Sequence, residues 1–203
     1  MQLGAAIARA RGCQVVETLT GFKYIGDKIT DYRTDPAHDF FFGYEESYGC
    51  LVGTYTQDKD VVGAALLVAE MAACCKKQGK TLCDRLHELY TEYGYYYDAQ
   101  ASYKLQGIAG KEKIASIMDT LREQKAAFIP EPAEVLDFAK GIAGLQATNL
   151  LKYKMKNGSW IAICPSGTEP KLKLYCSLVE KDESAAKAKF AAIREKFERA
   201  FNL

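Results

Sequence analysis

Histidine is nearly missing from this sequence: His38 and His87 are the only two in 203 residues. A histidine-rich zinc site is thereby excluded, and any Cys–His catalytic pair would have to use one of these two. His87 sits in Leu86-His87-Glu88-Leu89 and reads as an exposed helix-face residue. His38, beside Asp39, reads as a loop residue. The seven cysteines (13, 50, 74, 75, 83, 164 and 176) are odd in number and contain no Cys-x-x-Cys pair. A disulfide framework lacks its pattern here, so reduced thiols in a cytoplasmic protein are expected. An excess of one charge is also missing, with 27 Lys+Arg against 26 Asp+Glu. No basic field advertises nucleic acid, and no acidic tail is present. Long apolar runs are absent too. The longest, Val61 to Ala69, stops at Glu70 and is too short for a bilayer, so no membrane partner is expected. Met1-Gln2-Leu3-Gly4 carries no charged leader before an apolar core, so no secretion signal is expected.

What remains is ordinary globular composition, 48% hydrophobic and 26% charged. Leu3 to Arg11 is alanine-rich and predicts a short helix ending at Gly12. Cys13–Leu19 predicts a buried strand, the spacing 22, 25, 29 a helix, and Phe40–Phe42 a second buried strand. Gly43 to Gln57 reads as a long polar and aromatic loop. Asp58 is the expected N-cap of a helix to about Lys77, and Thr81 with Asp84 resembles a capping box opening another. Strands alternating with helices predict a layered α/β domain. This pattern starts on a helix rather than a strand, so the domain's first strand is expected to lie outside the sequence. The unpaired edge left near Cys13–Leu19 or Phe40–Phe42 would promote self-association.

Tyr95 to Leu105 reads as extended and Gly107 to Gly110 as a joint. Ile114, Ile117, Met118 and Leu121 stripe a helix. From Thr148 the period becomes two, with Asn157-Gly158 marking a hairpin between strands. Leu172, Leu174, Cys176 and Leu178 mark a further strand, and Ala186, Phe190, Ile193 and Phe197 a last helix. The expectation is an α/β domain at 1–107, then a small α+β domain at 108–203 with helices on an antiparallel sheet.

Two segments carry chemistry. Pro165-Ser166-Gly167-Thr168-Glu169-Pro170 lies between predicted strands and can aim hydroxyls and N–H groups at one anion. Lys171 and Lys173, two apart on the next strand, point the same way and can supply charge. The same residues also suit a tight turn with solvated lysines, and composition does not choose. In Gly43-Tyr44-Glu45-Glu46-Ser47-Tyr48-Gly49, carboxylates beside a hydroxyl suit vicinal sugar hydroxyls. The alternative is an exposed acidic loop. No third oxygen ligand stands at a spacing that would make Glu45 and Glu46 a metal site.

Thr20-Gly21-Phe22-Lys23, the Gly43–Gly49 loop, Asp58-Lys59-Asp60 and Pro165–Lys171 occur in that order. Together they resemble the alpha-D-phosphohexomutase superfamily, most closely bacterial phosphoglucomutase/phosphomannomutase. The resemblance implies most of a third domain that reads sugar and a whole fourth domain that grips phosphate. Lys23, Glu45 and Ser47 then match sugar-facing residues. Ser166, Gly167 and Thr168 match the phosphate loop, with Lys171 or Lys173 as the supporting cation. The implied reaction interconverts hexose 1-phosphate and hexose 6-phosphate through a bisphosphate, with Mg2+ and a sugar bisphosphate activator. The family's phosphoserine loop and Asp-x-Asp-x-Asp metal run have no counterpart in this sequence. No catalytic or metal residue is therefore expected in this chain, and domains 1 and 2 are the expected partners. Two departures remove positive charge: Cys164 and Gln57 stand where relatives carry arginine. A phosphopentomutase piece, or a free-standing sugar-phosphate-binding protein, stays open as an alternative.

Overall fold

The computed structural model describes all residues except 1, 46–48, 125–128, 130–131, 143–144 and 168. The described chain divides into two units between Tyr93 and Gly94. The sequence placed this boundary at 107/108. Strand pairing explains the difference: β3 (Tyr95–Lys104) runs antiparallel along β7 (Lys171–Glu180) over its whole length, so it belongs with the second unit.

The first unit holds α1 (Gln2–Ala10), α2 (Phe22–Tyr32), α3 (Val61–Lys77) and α4 (Leu82–Tyr93). Its described strands, β1 (Phe42–Tyr44) and β2 (Cys50–Val52), form a two-stranded antiparallel sheet. Phe22, Ile29 and Leu51 form its buried cluster, with Ile25 and Phe40 packed against them. Cys13–Leu19 is not a strand; the segment has no strand partner among the described residues, and Val16 is exposed. Its β-branched residues have no sheet face to cover, and propensity without a face does not make a strand. The Phe40–Phe42 strand is likewise displaced: only Phe42 enters β1, and Phe41 is 76% exposed. Asp60, not Asp58, caps α3, its carboxylate accepting from the N–H groups of Val62 at 3.0 Å and Gly63 at 2.6 Å. The capping box opening α4 forms as expected. The Thr81 N–H donates to Asp84 at 2.8 Å, and the Asp84 N–H donates to the Thr81 hydroxyl at 3.1 Å.

The second unit is a five-stranded antiparallel sheet, order β3-β7-β6-β5-β4, with β4 Glu134–Asp137, β5 Leu151–Lys154 and β6 Trp160–Pro165. Helices α5 (Gly107–Gln124) and α6 (Glu183–Phe201) cover one face. Gly107–Gly110 is thus the first turn of α5 rather than a joint. Ile114, Met118 and Leu121 from α5 and Ile193 and Phe197 from α6 meet Leu151, Ile163, Leu174 and Leu178 from the strands. Alternation along each strand sends the chain neighbours of these residues to the opposite face. That face carries Cys164, Lys173 and Tyr175. The molecule thus combines an α/β first unit with helices packed on an antiparallel sheet in the second.

Candidate functional site

In the first unit the sugar-loop candidate is a hairpin. Register Phe42↔Val52, Gly43↔Leu51, Tyr44↔Cys50 brings residues 45 and 49 together, and the Glu45 N–H donates to the Gly49 carbonyl at 2.9 Å. The Glu45 carboxylate, only 9% exposed, accepts from the Lys59 ammonium at 3.0 Å. That hydrogen bond raises the Lys59 pKa above the ordinary lysine value. Gly49 makes room for the pair, since a Cβ there would stand 2.8 Å from both Glu45 Oε1 and Lys59 Cδ. Glu45 is therefore held in one orientation by a cation that the sequence offered only as part of Asp58-Lys59-Asp60. Ser47 lies outside the described residues.

Lys23 sits in the first turn of α2, exposed, its ammonium 4.7 Å from the Tyr24 ring centroid. It lines an open hollow of about 630 Å³ together with Asp27, Thr30, Arg33, Tyr55 and Gln57. Positions 23, 27, 30 and 33 follow helical spacing, so Arg33, the C-cap of α2, continues the stripe that Lys23, Asp27 and Thr30 begin. Close approach builds this hollow: a Cβ at Gly26 would come within 2.5 Å of the Gln57 carbonyl oxygen. The Gln57 amide donates to the Thr30 hydroxyl at 2.8 Å, which donates to the Gly26 carbonyl at 3.1 Å. A neutral amide fits that neutral partner, which accounts locally for Gln57. Glu45 is not among the described residues that line this hollow.

In the second unit the phosphate-loop candidate joins β6 to β7. The Ser166 N–H donates to the Lys171 carbonyl at 2.8 Å, and the Lys171 N–H to the Glu169 carbonyl at 2.7 Å. Ser166 thus spends its amide on the hairpin and does not give it to the expected nest of N–H groups. Gly167 is exposed, with open space where a side chain would be. Thr168 lies outside the described residues. The Lys171 ammonium pairs with the Glu169 carboxylate at 2.7 Å. Lys173 follows on the same face, 5.9 Å from the Tyr175 ring centroid. Cys164 is the register partner of Lys173, so it stands on the lysine face and not in the core beside Ile163. Ser166 and Lys171 are joined by that backbone hydrogen bond, and Lys171 and Lys173 lie two apart on one strand face. Glu169 stands two residues before Lys171 in the sequence, and that spacing is the local signal for the pair.

All seven cysteines are free thiols. Among the described residues, no three His, Cys, Asp or Glu side chains converge to hold a metal, and no helix is long and apolar enough to cross a membrane. The Mg2+ implied by the family resemblance therefore finds no fitting donor set among them.

Residues 2–93 match the family model for phosphoglucomutase/phosphomannomutase, alpha/beta/alpha domain III. The chain is 36% identical over 190 residues to a phosphoglucomutase of Staphylococcus haemolyticus and 35% identical over 190 residues to one of Staphylococcus aureus. Each match covers 87% of this chain and 34% of the relative, so the chain spans about a third of the curated relatives it matches. In fold it is similar to parafusin, the exocytosis-sensitive phosphoprotein and phosphoglucomutase of Paramecium, in its open form. That likeness has a TM-score of 0.71 at 19% identity and covers 97% of this chain and 36% of that one. Two units in this order, the first matched as domain III and the second an antiparallel sheet carrying Ser-Gly-Thr-Glu-Pro-Lys, place the chain in the alpha-D-phosphohexomutase superfamily.

Proposed function

We propose that this chain supplies the sugar-reading and phosphate-gripping part of a phosphoglucomutase/phosphomannomutase, an isomerase that interconverts hexose 1-phosphate and hexose 6-phosphate through a bisphosphate. The observation that carries the reading is the loop at Ser166 and Gly167 with Lys171 and Lys173 on one strand face. A hydroxyl and two ammonium groups at one sheet end suit a phosphate monoester, whose charge at neutral pH is about −1.5 to −2. Thr168 is assigned to the same loop by its place in the motif. In the first unit Glu45, oriented by Lys59, accepts hydroxyl hydrogens of the sugar; Lys23 and Ser47 are assigned to the same ligand.

Phosphoryl transfer rests on positioning and charge neutralisation. The residues named here bind and orient; none is assigned to carry the phosphoryl group, and no step is routed through a metal. Domains 1 and 2 of the enzyme are the proposed partners, with Mg2+ and the sugar bisphosphate acting there, in the cytoplasm.

Two measurements test this. In a coupled assay with glucose 1-phosphate, the bisphosphate activator and Mg2+, the chain alone is expected to give background turnover. In calorimetry it is expected to bind glucose 1-phosphate and to lose that binding in Lys171→Met. Cys164→Arg, on the lysine face, is expected to tighten binding roughly tenfold through a charge-assisted contact. Robust turnover by the pure chain, or equal affinity in Lys171→Met, would sink the reading.

A further inference from the structure

The lysines of the phosphate loop already face a carboxylate. Glu169 lies inside the loop, 51% exposed, its carboxylate 2.7 Å from the Lys171 ammonium. On the adjoining strand, Lys104 is the register partner of Lys171, and Ser102 that of Lys173. Directly opposed residues share a face with Cβ atoms about 5 Å apart, so Lys104, Lys171 and Lys173 form one cationic corner. The corner is stitched to the loop, because the Leu105 N–H donates to the Pro170 carbonyl at 3.0 Å and carries the β3–β7 pairing past Lys104. Lys104 is exposed and makes no ion pair among the described residues.

We propose that Glu169 is the resident counter-ion of this corner and Lys104 its third cation, so that a phosphate monoester binds by taking the place of the Glu169 carboxylate. This rests on the reading of the loop as a phosphate site. Three ammonium groups within one corner repel each other, and a single carboxylate offsets only part of that repulsion. A phosphate near −2 matches the three charges better and offers three acceptor oxygens. The charge environment agrees. The Glu169 carboxyl lies below its ordinary pKa chiefly through its hydrogen bond with Lys171 and that ammonium's charge, with Lys104 and Lys173 adding to the effect. A half-exposed carboxylate on a loop can swing into water without disturbing a core. Glu169 then sets a threshold: weak monoanions fail to displace it, and phosphate dianions succeed.

The test titrates inorganic phosphate into the whole chain at low ionic strength, following the backbone amide signals of Ser166 and Gly167. Wild type, Glu169→Gln, Lys104→Met and Lys171→Met are compared, and the remaining amide signals confirm that each variant is folded. Glu169→Gln is expected to bind phosphate about two- to fivefold more tightly, and Lys104→Met about two- to fivefold more weakly. If wild type binds and Lys171→Met does not, while Glu169→Gln and Lys104→Met match wild type, the counter-ion proposal is overturned and the phosphate loop stands. If no protein shifts its loop signals, or Lys171→Met binds as wild type does, the phosphate-loop reading itself fails.

Discussion

The two units use similar apolar content in opposite ways. In the second, helix faces and strand faces close on each other, and Tyr153, Ile161, Leu172, Leu174 and Phe197 are fully buried. In the first, the buried cluster is Phe22, Ile29 and Leu51, while the most apolar helix, α3, shows much of its surface. Val61 is 79% and Leu66 62% exposed, and Val62, Val68 and Met71 are exposed with them. A helix that is apolar on nearly every side belongs in an interior. The family model describes this domain as three layers, alpha/beta/alpha, yet its described strands are two, of three residues each. A helix layer thus depends on a sheet layer for its burial. The second unit's sheet is broad enough to supply it, and the first unit's hairpin is not.

Equal truncations give the sharpest contrast. Leu174→Ala is expected to destabilise the second unit by about 2–5 kcal/mol in denaturant unfolding, because the cavity sits in a closed core. Leu66→Ala on α3 is expected to change stability by less than about 0.5 kcal/mol. A large loss from Leu66→Ala would mean that α3 is covered in solution, and the contrast would disappear. Thiol labelling reads the same difference residue by residue. Burial pushes the Cys176 thiol up to about 12, and Cys176 is 2% exposed, whereas Cys13, Cys74 and Cys83 lie open. Pulse alkylation at neutral pH with mass spectrometry is expected to modify those three within the pulse and Cys176 only after unfolding.

Exposed apolar surface of this kind recruits neighbours. Self-association through α3 is expected, and Leu66→Glu is expected to shift sedimentation at high concentration toward monomer. A wild-type chain that stays monomeric at every concentration would remove α3 as an association face. The smallest expected effect is an acid one. The Asp60 carboxyl, which caps α3, is held below its ordinary range chiefly by the hydrogen bond from the Tyr55 hydroxyl, then by the Gly63 N–H. A depressed folded-state pKa gives stability that is present above the unfolded value and lost as pH falls through the folded one. Helix signal from α3 should therefore weaken below about pH 4. In far-UV circular dichroism the acid step should shrink in Asp60→Asn.

How much of this was legible depended on whether a segment's pattern and its burial agree. In the second unit they agree. The Leu151-Lys152-Tyr153-Lys154 alternation, the Asn157-Gly158 turn and the stripe on α6 all landed where the pattern put them, because a sheet buried on one face must alternate. Cys13–Leu19 failed because its apolar residues met no partner. Tyr95–Lys104 reads as extended, but its sequence places it with the first domain, since nothing local announces a partner strand as distant as Lys171–Glu180. Among the proposed site residues, local motifs named Glu45, Ser166, Lys171 and Lys173. The Lys59 and Lys104 roles arise across strands and loops, where no spacing rule reaches.

That distant partner also fixes an order of events during synthesis. Among the described residues β3 is an edge strand paired with β7 alone, and every residue of β4, β5 and β6 is translated before β7 appears. The tyrosine-rich segment Tyr95–Lys104 must wait on the ribosome with its backbone unpaired, while the β5–β6 hairpin can already close. Closing so long a loop carries an entropic cost that local pairing avoids, which makes this step the slow one. A nascent chain halted just before Lys171 would hold the hairpin but leave Tyr95–Lys104 open to protease, and emergence of Lys171–Glu180 would close it.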